Sequence, residues 1–330
     1  MGMISIILSI IFITGVLAVA FFFSIFQPWL LAVVIFYAAF AVFLVGFIYR
    51  IIKWALIPVP YSITATCGQQ KSLPWIKVNA IENPSGKAGV IVRMVLEVLL
   101  FRSLFRNTNT EMYEGRPIYG KDITLWLFGL LFHITLLIIV MRHLRFFMEP
   151  VPAFINTLSA WDGMFELGVP TFYLSDILFA FSALYLFLRR VAVSRLRYIS
   201  LAQDYIPLLL LICVAGSGIL MRHIYKVDLL KVKELTTGWT TFSGSLPEGI
   251  GLIFFIHLFF ICVLLFWFPF AKLMHMGGIL LSPTRYMANN SRMKRHVNPL
   301  NVPFKVHTYE EYEDEFRDKM KTAGLPVDKG

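Results

Sequence analysis

Charge is scarce in this chain. The first 49 residues contain no Lys or Arg, and over all 330 residues only 15 % are charged while 58 % are hydrophobic. Soluble domains carry about 25 % charged residues, so a wholly soluble globular protein is excluded. A cleavable secretory leader is excluded by the same absence, because it opens with a positively charged segment. Cysteine is also rare. Cys67, Cys213 and Cys262 form no CxxC pair, and an iron–sulfur cluster needs about four thiolates. Cys213 and Cys262 read as small core residues of helices, and Cys67 as an inert thiol of a polar loop. No segment alternates as a barrel strand does. Internal repeats and interrupted helices, which a secondary transporter should show, are missing too.

What remains is long apolar runs. A helix needs about 20 apolar residues to cross a bilayer, and six stretches qualify: Met3–Ile25, Trp29–Phe47, Ile123–Met141, Val169–Leu188, Tyr205–Met221 and Ile250–Phe270. The expected fold class is all-α, a polytopic membrane protein of six transmembrane helices. Four regions follow: a hairpin over 1–50 turned at Gln27–Pro28, a cytoplasmic loop over 51–122, a helical core over 123–281 and a cytoplasmic tail over 282–330.

The net charge of +10 is sorted by side. Residues 50–122 hold ten Lys and Arg, 189–197 hold four Arg, and 272–330 hold another ten. The positive-inside rule places all three regions, and both termini, on the cytoplasmic side of the cell membrane. Leu144–Pro170 has one Arg against three acids, as an outer loop should. The segment after Met221, with Arg222, Lys226, Lys231 and Lys233, fits less well. Such a pattern is that of a membrane protein and argues against a nucleic-acid partner.

Chemistry enters through histidine. "LFHITLLIIVMRH" carries His133 and His143, and "IHLFFICVLLFWFPFAKLMH" carries His257 and His275. An ionisable residue inside hydrocarbon is expensive and must find a partner. Two histidines on each of two helices suit two stacked haems, each taking one axial imidazole from either helix. At about 1.5 Å per residue the first pair stands ~15 Å apart along its helix and the second ~27 Å. Antiparallel helices pair His133 with His275 and His143 with His257, although these depths match poorly. Depth alone would even favour His143 with His223, which ends a second "MRH", but that pairing leaves His275 without a role.

Those two segments, with both histidine spacings and the "FPFAKLMH" run, resemble the ligand helices of the respiratory nitrate reductase gamma-subunit family over about 120–290. The resemblance implies a di-haem cytochrome b that oxidises quinol on the outer side. It also implies the pairing His133–His275 for an inner haem b and His143–His257 for an outer one. "TATCGQQKSLPWIKV", "EVLLFRSLFRNT", "PEGIGLIFFIHLF", "FPFAKLMHMGGILLSPTR" and "KRHVNPLN" further resemble the DsrM family, the membrane cytochromes b of DsrMKJOP complexes of dissimilatory sulfur metabolism. That resemblance implies a DsrK-like iron–sulfur subunit and the other DsrMKJOP subunits as partners. It further implies menaquinone/menaquinol as substrate and electron exchange with the sulfur carrier DsrC. The reverse direction, quinone reduction, stays open, and so does the more distant alternative of a transporter relaying protons through its histidines.

His223, Arg222 and Asp176 are the candidate catalytic residues of a quinone site. An imidazole whose pKa is ordinarily near 6.5 can take a proton from quinol. His223 reads equally as an interfacial anchor, and Asp176, about six residues inside its helix, equally as a group bonded to a neighbour. Lys87–Asn107 reads as one amphipathic helix lying on the inner membrane surface and compatible with partner docking. The tail, basic and then acidic ("EEYEDEFRDKM"), is too polar to build a core alone and reads as an extended docking arm.

Overall fold

The computed structural model describes residues 2–57, 71, 74–163, 172–281, 287–290 and 306–329. Cys67 and the basic segment 291–305 lie outside the described residues. The elements are α1 (Gly2–Phe26), a π-helical turn Leu30–Ile35 running into α2 (Phe36–Ala55), α3 (Lys87–Leu100), α4 (Arg102–Phe105), β1 (Thr108–Tyr113), β2 (Arg116–Lys121) and α5 (Ile123–His143). They continue with α6 (Ala153–Asp162), α7 (Leu174–Ala192), α8 (Ser194–Ile199), α9 (Ala202–His223), α10 (Leu229–Thr241), α11 (Leu252–Trp267), α12 (His275–Leu281) and α13 (Tyr309–Thr322). The protein is an all-α polytopic membrane protein. The only strands among the described residues are the hairpin β1–β2, closed by Glu114 and Gly115, both at positive φ as a tight two-residue turn requires.

Among the described residues, five helical stretches are long and apolar enough to cross a bilayer: Gly2–Phe26, Leu30–Ala55, Ile123–Phe146, Ala202–His223 and Leu252–Phe270. The fourth expected span differs. It forms α7, whose 19 residues carry Asp176 in the first turn and Arg189 and Arg190 in the last. These charges hold α7 against α5 at both ends. Arg189 pairs with Asp122, which also caps α5, and Arg142 at the far end of α5 pairs with Asp176. Asp176 therefore sits at the mouth of its helix, not six residues within it.

The bundle is a chain of neighbours: α5 packs on α7, α7 on α9, and α9 on α11, whereas α5 and α11 make no extended contact with each other. The N-terminal hairpin is part of this core, since Ala20, Leu31, Ala32 and Ala39 join Leu210, Leu235 and residues of α11 in the main apolar cluster. The π-turn contributes directly, because the Ala32 carbonyl accepts the indole N–H of Trp239 at 2.8 Å. Of the cations that strained the side assignment, Lys233 pairs with Glu149, its neighbour on the adjoining loop. Cys262 is buried and Cys213 half-buried, as expected of core residues.

Two expectations outside the bundle are corrected. Lys87–Asn107 is not one helix: α3 stops at Phe101, which adopts left-handed backbone before α4 begins. Arg93 is buried, and Ile91, Val92, Val95 and Leu99 form the exposed side of α3. The acidic tail is not an extended arm either, but the helix α13 with a capping box from Thr308 and Glu311. Its Glu313, 1 % exposed, accepts the backbone N–H groups of Asp328 and Lys329, each at 2.8 Å, folding the C-terminus back.

That carboxylate makes the tail pH-sensitive. Burial favours its neutral form, but the two N–H groups and Arg317 outweigh burial and hold its pKa below the usual range. A depressed folded pKa gives stability that is fully present above the unfolded value of about 4.3. It is lost as pH falls through the folded value. Hydrogen exchange at the Asp328 and Lys329 amides should therefore show protection at pH 7 that disappears in acid, and that Glu313→Gln lacks at both. Equal protection in the variant at pH 7 would contradict this assignment.

Candidate functional site: paired histidines and an outer polar cluster

Helix α11, which carries His257, is interrupted before the chain reaches His275. After Trp267 the chain makes a 3₁₀ turn over Phe268–Phe270. Ala271 is extended (φ −100°, ψ 175°), and a second 3₁₀ turn, Lys272–Met274, leads into α12 at His275. Pro269 lacks the N–H that a continuous helix needs. The expected ~27 Å between His257 and His275 treated 257–275 as one straight helix, which this interruption overturns. The hairpin seats this turn. Pro269 approaches α2 so closely that a Cβ on Gly46 would lie 2.6 Å from it, and a Cβ on Gly277 would lie 2.7 Å from Ile51.

The result is two histidine pairs. The rings of His133 and His275 meet in a T-shaped contact, with centroids 5.9 Å apart and planes at 81°. His143 lies within electrostatic reach of His257. His257 is buried, His133 half-buried, and His143 and His275 exposed. Each ring is fixed through the same atom. Nδ1 of His133 lies 2.7 Å from the Gly129 carbonyl, that of His143 2.7 Å from the Ile139 carbonyl, and that of His275 2.8 Å from the Lys272 carbonyl. A carbonyl only accepts, so Nδ1 holds the proton in all three. His257 meets the Ser217 hydroxyl at 2.9 Å, and that hydroxyl lies 2.7 Å from the Cys213 carbonyl to which it can donate. Nδ1 of His257 is then the donor there as well.

This leaves Nε2 of every ring as the unprotonated nitrogen, the form in which imidazole binds a metal, with Nδ1–H oriented by an acceptor as in known metal sites. Among the described residues no three His, Cys, Asp or Glu side chains converge; these histidines meet two by two. Two metal–nitrogen bonds of ~2.0–2.1 Å, the range for imidazole on zinc, placed between two imidazole radii, give roughly 6 Å between ring centres. The His133–His275 separation fits that figure. The residues present therefore fit a cofactor that brings its own equatorial ligands and needs two axial imidazoles, which is haem.

Beyond His143, at the same end of the bundle, lies a dense polar cluster. Arg142, 6 % exposed, reaches Asp162 at 3.0 Å and bonds Asp176. Asp162 in turn accepts the Ser175 N–H at 2.8 Å and its hydroxyl at 2.6 Å. Tyr173 is stacked between two guanidiniums, with Arg142 at 3.7 Å and Arg222 at 4.2 Å from its ring centre. His223 lies flat on Phe172, centroids 4.0 Å apart and planes at 8°. The three residues singled out from sequence, His223, Arg222 and Asp176, are thus brought together. Arg142, Asp162 and Tyr173 were missed. The repeated "MRH" at 141–143 and 221–223 was the available signal for Arg142, because each Arg directly precedes a histidine of this region.

Comparison with known proteins bears on the same helices. Residues 90–297, which include α5, α7, α9, α11 and all five histidines discussed, match the nitrate reductase gamma subunit model. The chain belongs to that family. Within this gamma-subunit family it is similar to an Hdr-like menaquinol oxidoreductase cytochrome b-like subunit of Archaeoglobus fulgidus. The two are 42 % identical over 266 residues, covering 78 % of this chain and 80 % of the relative. The subunit of the same description from Archaeoglobus profundus is 40 % identical over 269 residues, covering 78 % and 79 %.

Proposed function

We propose that this chain is a quinol-oxidising di-haem cytochrome b subunit of a membrane oxidoreductase complex. The observation that carries the reading is the two histidine pairs, every ring held through Nδ1 with Nε2 left for a metal. The description of the relatives as menaquinol oxidoreductase cytochrome b-like subunits supports menaquinol as the substrate.

Six spans give the pair of ends this function needs. The sixth is α7, ~28 Å long at about 1.5 Å per residue, close to the ~30 Å of a bilayer core and ion-paired to α5 at both ends. Gly2 lies against Arg197, so the N-terminus shares the side of the Arg-rich link, which the positive-inside rule makes cytoplasmic. His133–His275 is then the inner pair and His143–His257 the outer pair. Two haems so held would supply a one-electron relay between the two faces of the membrane.

The protein's own groups do the rest. Ser217 and the helix carbonyls keep each imidazole in one tautomer. Arg142 and Arg222, with Asp162 and Asp176, make a charge-balanced outer wall around Tyr173, and His223 accepts a proton from quinol on that side. On the inner side, electrons leave to a DsrK-like iron–sulfur subunit, with DsrC-linked sulfite reduction as the downstream chemistry and other DsrMKJOP-type subunits in the assembly. The exposed apolar side of α3, next to the inner pair, favours docking there. The direct test is haem content. A pyridine haemochrome assay on the purified subunit should give close to two haems b per chain, both low-spin, with both reduced by a menaquinol analogue. A ratio near one, or a high-spin spectrum, would remove the reading.

A further inference from the structure

The cytoplasmic loop places an aromatic ring on the inner histidine pair at the expense of backbone comfort. Phe101 has φ 48° and ψ 48°, left-handed backbone that a bulky side chain seldom adopts. Strain of this kind persists only where its surroundings over-determine it, and an observed outlier is a pointer to function. Here the surroundings do so. The Phe101 N–H bonds the Glu97 carbonyl at 3.1 Å, and its own carbonyl accepts the Phe105 N–H at 3.0 Å, so one residue ends α3 and begins α4. The Glu97 carboxylate takes the Ser103 N–H at 2.9 Å and hydroxyl at 2.6 Å. Glu82, nearly buried, pairs with Arg102 at 2.6 Å and Arg106 at 2.7 Å.

The elbow is fastened to α5. Trp126 donates its indole N–H to the Leu100 carbonyl at 2.7 Å. Leu104 packs on Gly129, where a Cβ would come within 3.2 Å of it. The Gly129 carbonyl is the acceptor for Nδ1 of His133. The Phe101 ring then stands edge-on to the His133 ring, centroids 4.9 Å apart and planes at 77°. One face of the ligand imidazole is thereby walled by a residue of the cytoplasmic loop, not of the bundle.

We propose that Phe101 is a positioning residue for the inner haem: its ring fixes the plane of the His133 imidazole and shields that ligand from cytoplasmic water. The inference rests on the assignment of His133 and His275 as the inner pair. Solvent exposure and ligand orientation are two of the protein's levers on haem potential. A wetter site favours the more highly charged ferric form, so loss of the ring should lower the midpoint of one haem and leave the other unchanged.

The test is a redox titration and low-temperature EPR of the holo-subunit carrying Phe101→Ala, Phe101→Gly or Phe101→Tyr. Phe101→Gly removes the ring while accepting the positive φ without strain, so it separates the ring from the backbone and remains informative if the alanine variant folds poorly. In both ring-less variants the ferric-to-ferrous ratio of the component that His133→Ala deletes should rise about tenfold at fixed ambient potential, equivalent to 59 mV for one electron. Its EPR signature should shift with it, and Phe101→Tyr should retain the wild-type values. An inner component unchanged in Phe101→Gly overturns the proposal, and so does an equal shift of both haems, which would indicate general loosening. A wild-type protein in which His133→Ala deletes no component refutes the haem assignment itself, and this is decided before any Phe101 variant is compared.

Discussion

His133→Ala and His275→Ala are expected to delete one and the same haem from the visible spectrum, and His143→Ala and His257→Ala the other. The effect should be complete loss of one haem per subunit in each case, because neither imidazole of a facing pair has a substitute ligand beside it. The first pair rests on the 5.9 Å contact of the two rings and the second on the approach of His143 to His257. The rival pairing of His143 with His223 has no such approach behind it among the described residues, where the charged groups found against His223 are Arg222 and Asp176, while His257 has its Nδ1 satisfied by Ser217 and lies within electrostatic reach of His143. Spectra of the five single variants, each scored for haem content, decide the matter. A haem lost in His223→Ala but kept in His257→Ala would falsify the pairing.

The helical bundle was legible because hydrocarbon imposes a simple rule: about 20 apolar residues in a row must be a helix. That rule located every long helix among the described residues, α7 included, but it did not show that α7 opens at Leu174 with Asp176 in its first turn. Hydropathy does not see that Asp162 takes the first free N–H and hydroxyl of Ser175 and so marks the entrance. The approach of His133 to His275 was legible in the antiparallel order of the histidines, but the break between His257 and His275 was not, because a hydropathy window does not show where a proline-bearing turn interrupts a helix. Arg142 illustrates a general blind spot. Its two carboxylates lie 20 and 34 residues away, so nothing local to "VMRH" announces a buried ion-pair network. Phe101 is another, since left-handed backbone is expected at glycine and not at phenylalanine. In the tail, a run of acids suggested an extended docking arm; the buried Glu313 with its backbone partners depends on residues 15 and 16 positions later folding back.

Loss of the His223 imidazole should slow quinol oxidation by roughly 10²–10⁴-fold, the usual contribution of a positioned acid–base group. A quinol gives up two protons with its two electrons, so a group able to take a proton must stand where the electrons leave. On the outer side the charged neighbours are ill-suited. Arg142 and Arg222 are permanent cations, and Asp162 and Asp176 are both engaged by the Arg142 guanidinium. His223 carries a side chain that ordinarily titrates near pH 6.5 and lies on the open, aromatic edge of the cluster, stacked on Phe172 rather than bonded into the ion-pair network. The stack holds the ring plane without occupying its nitrogens, as a proton acceptor requires. The His223→Ala subunit should keep both haems, since His223 belongs to neither facing pair, and its EPR signature should match wild type. The measurement is stopped-flow haem reduction by a menaquinol analogue, with dithionite reduction as the control for intact haems. Slow reduction by quinol with normal reduction by dithionite places His223 in the proton path, whereas wild-type quinol kinetics in the fully loaded variant leaves it an interfacial anchor whose flat contact with Phe172 serves packing alone.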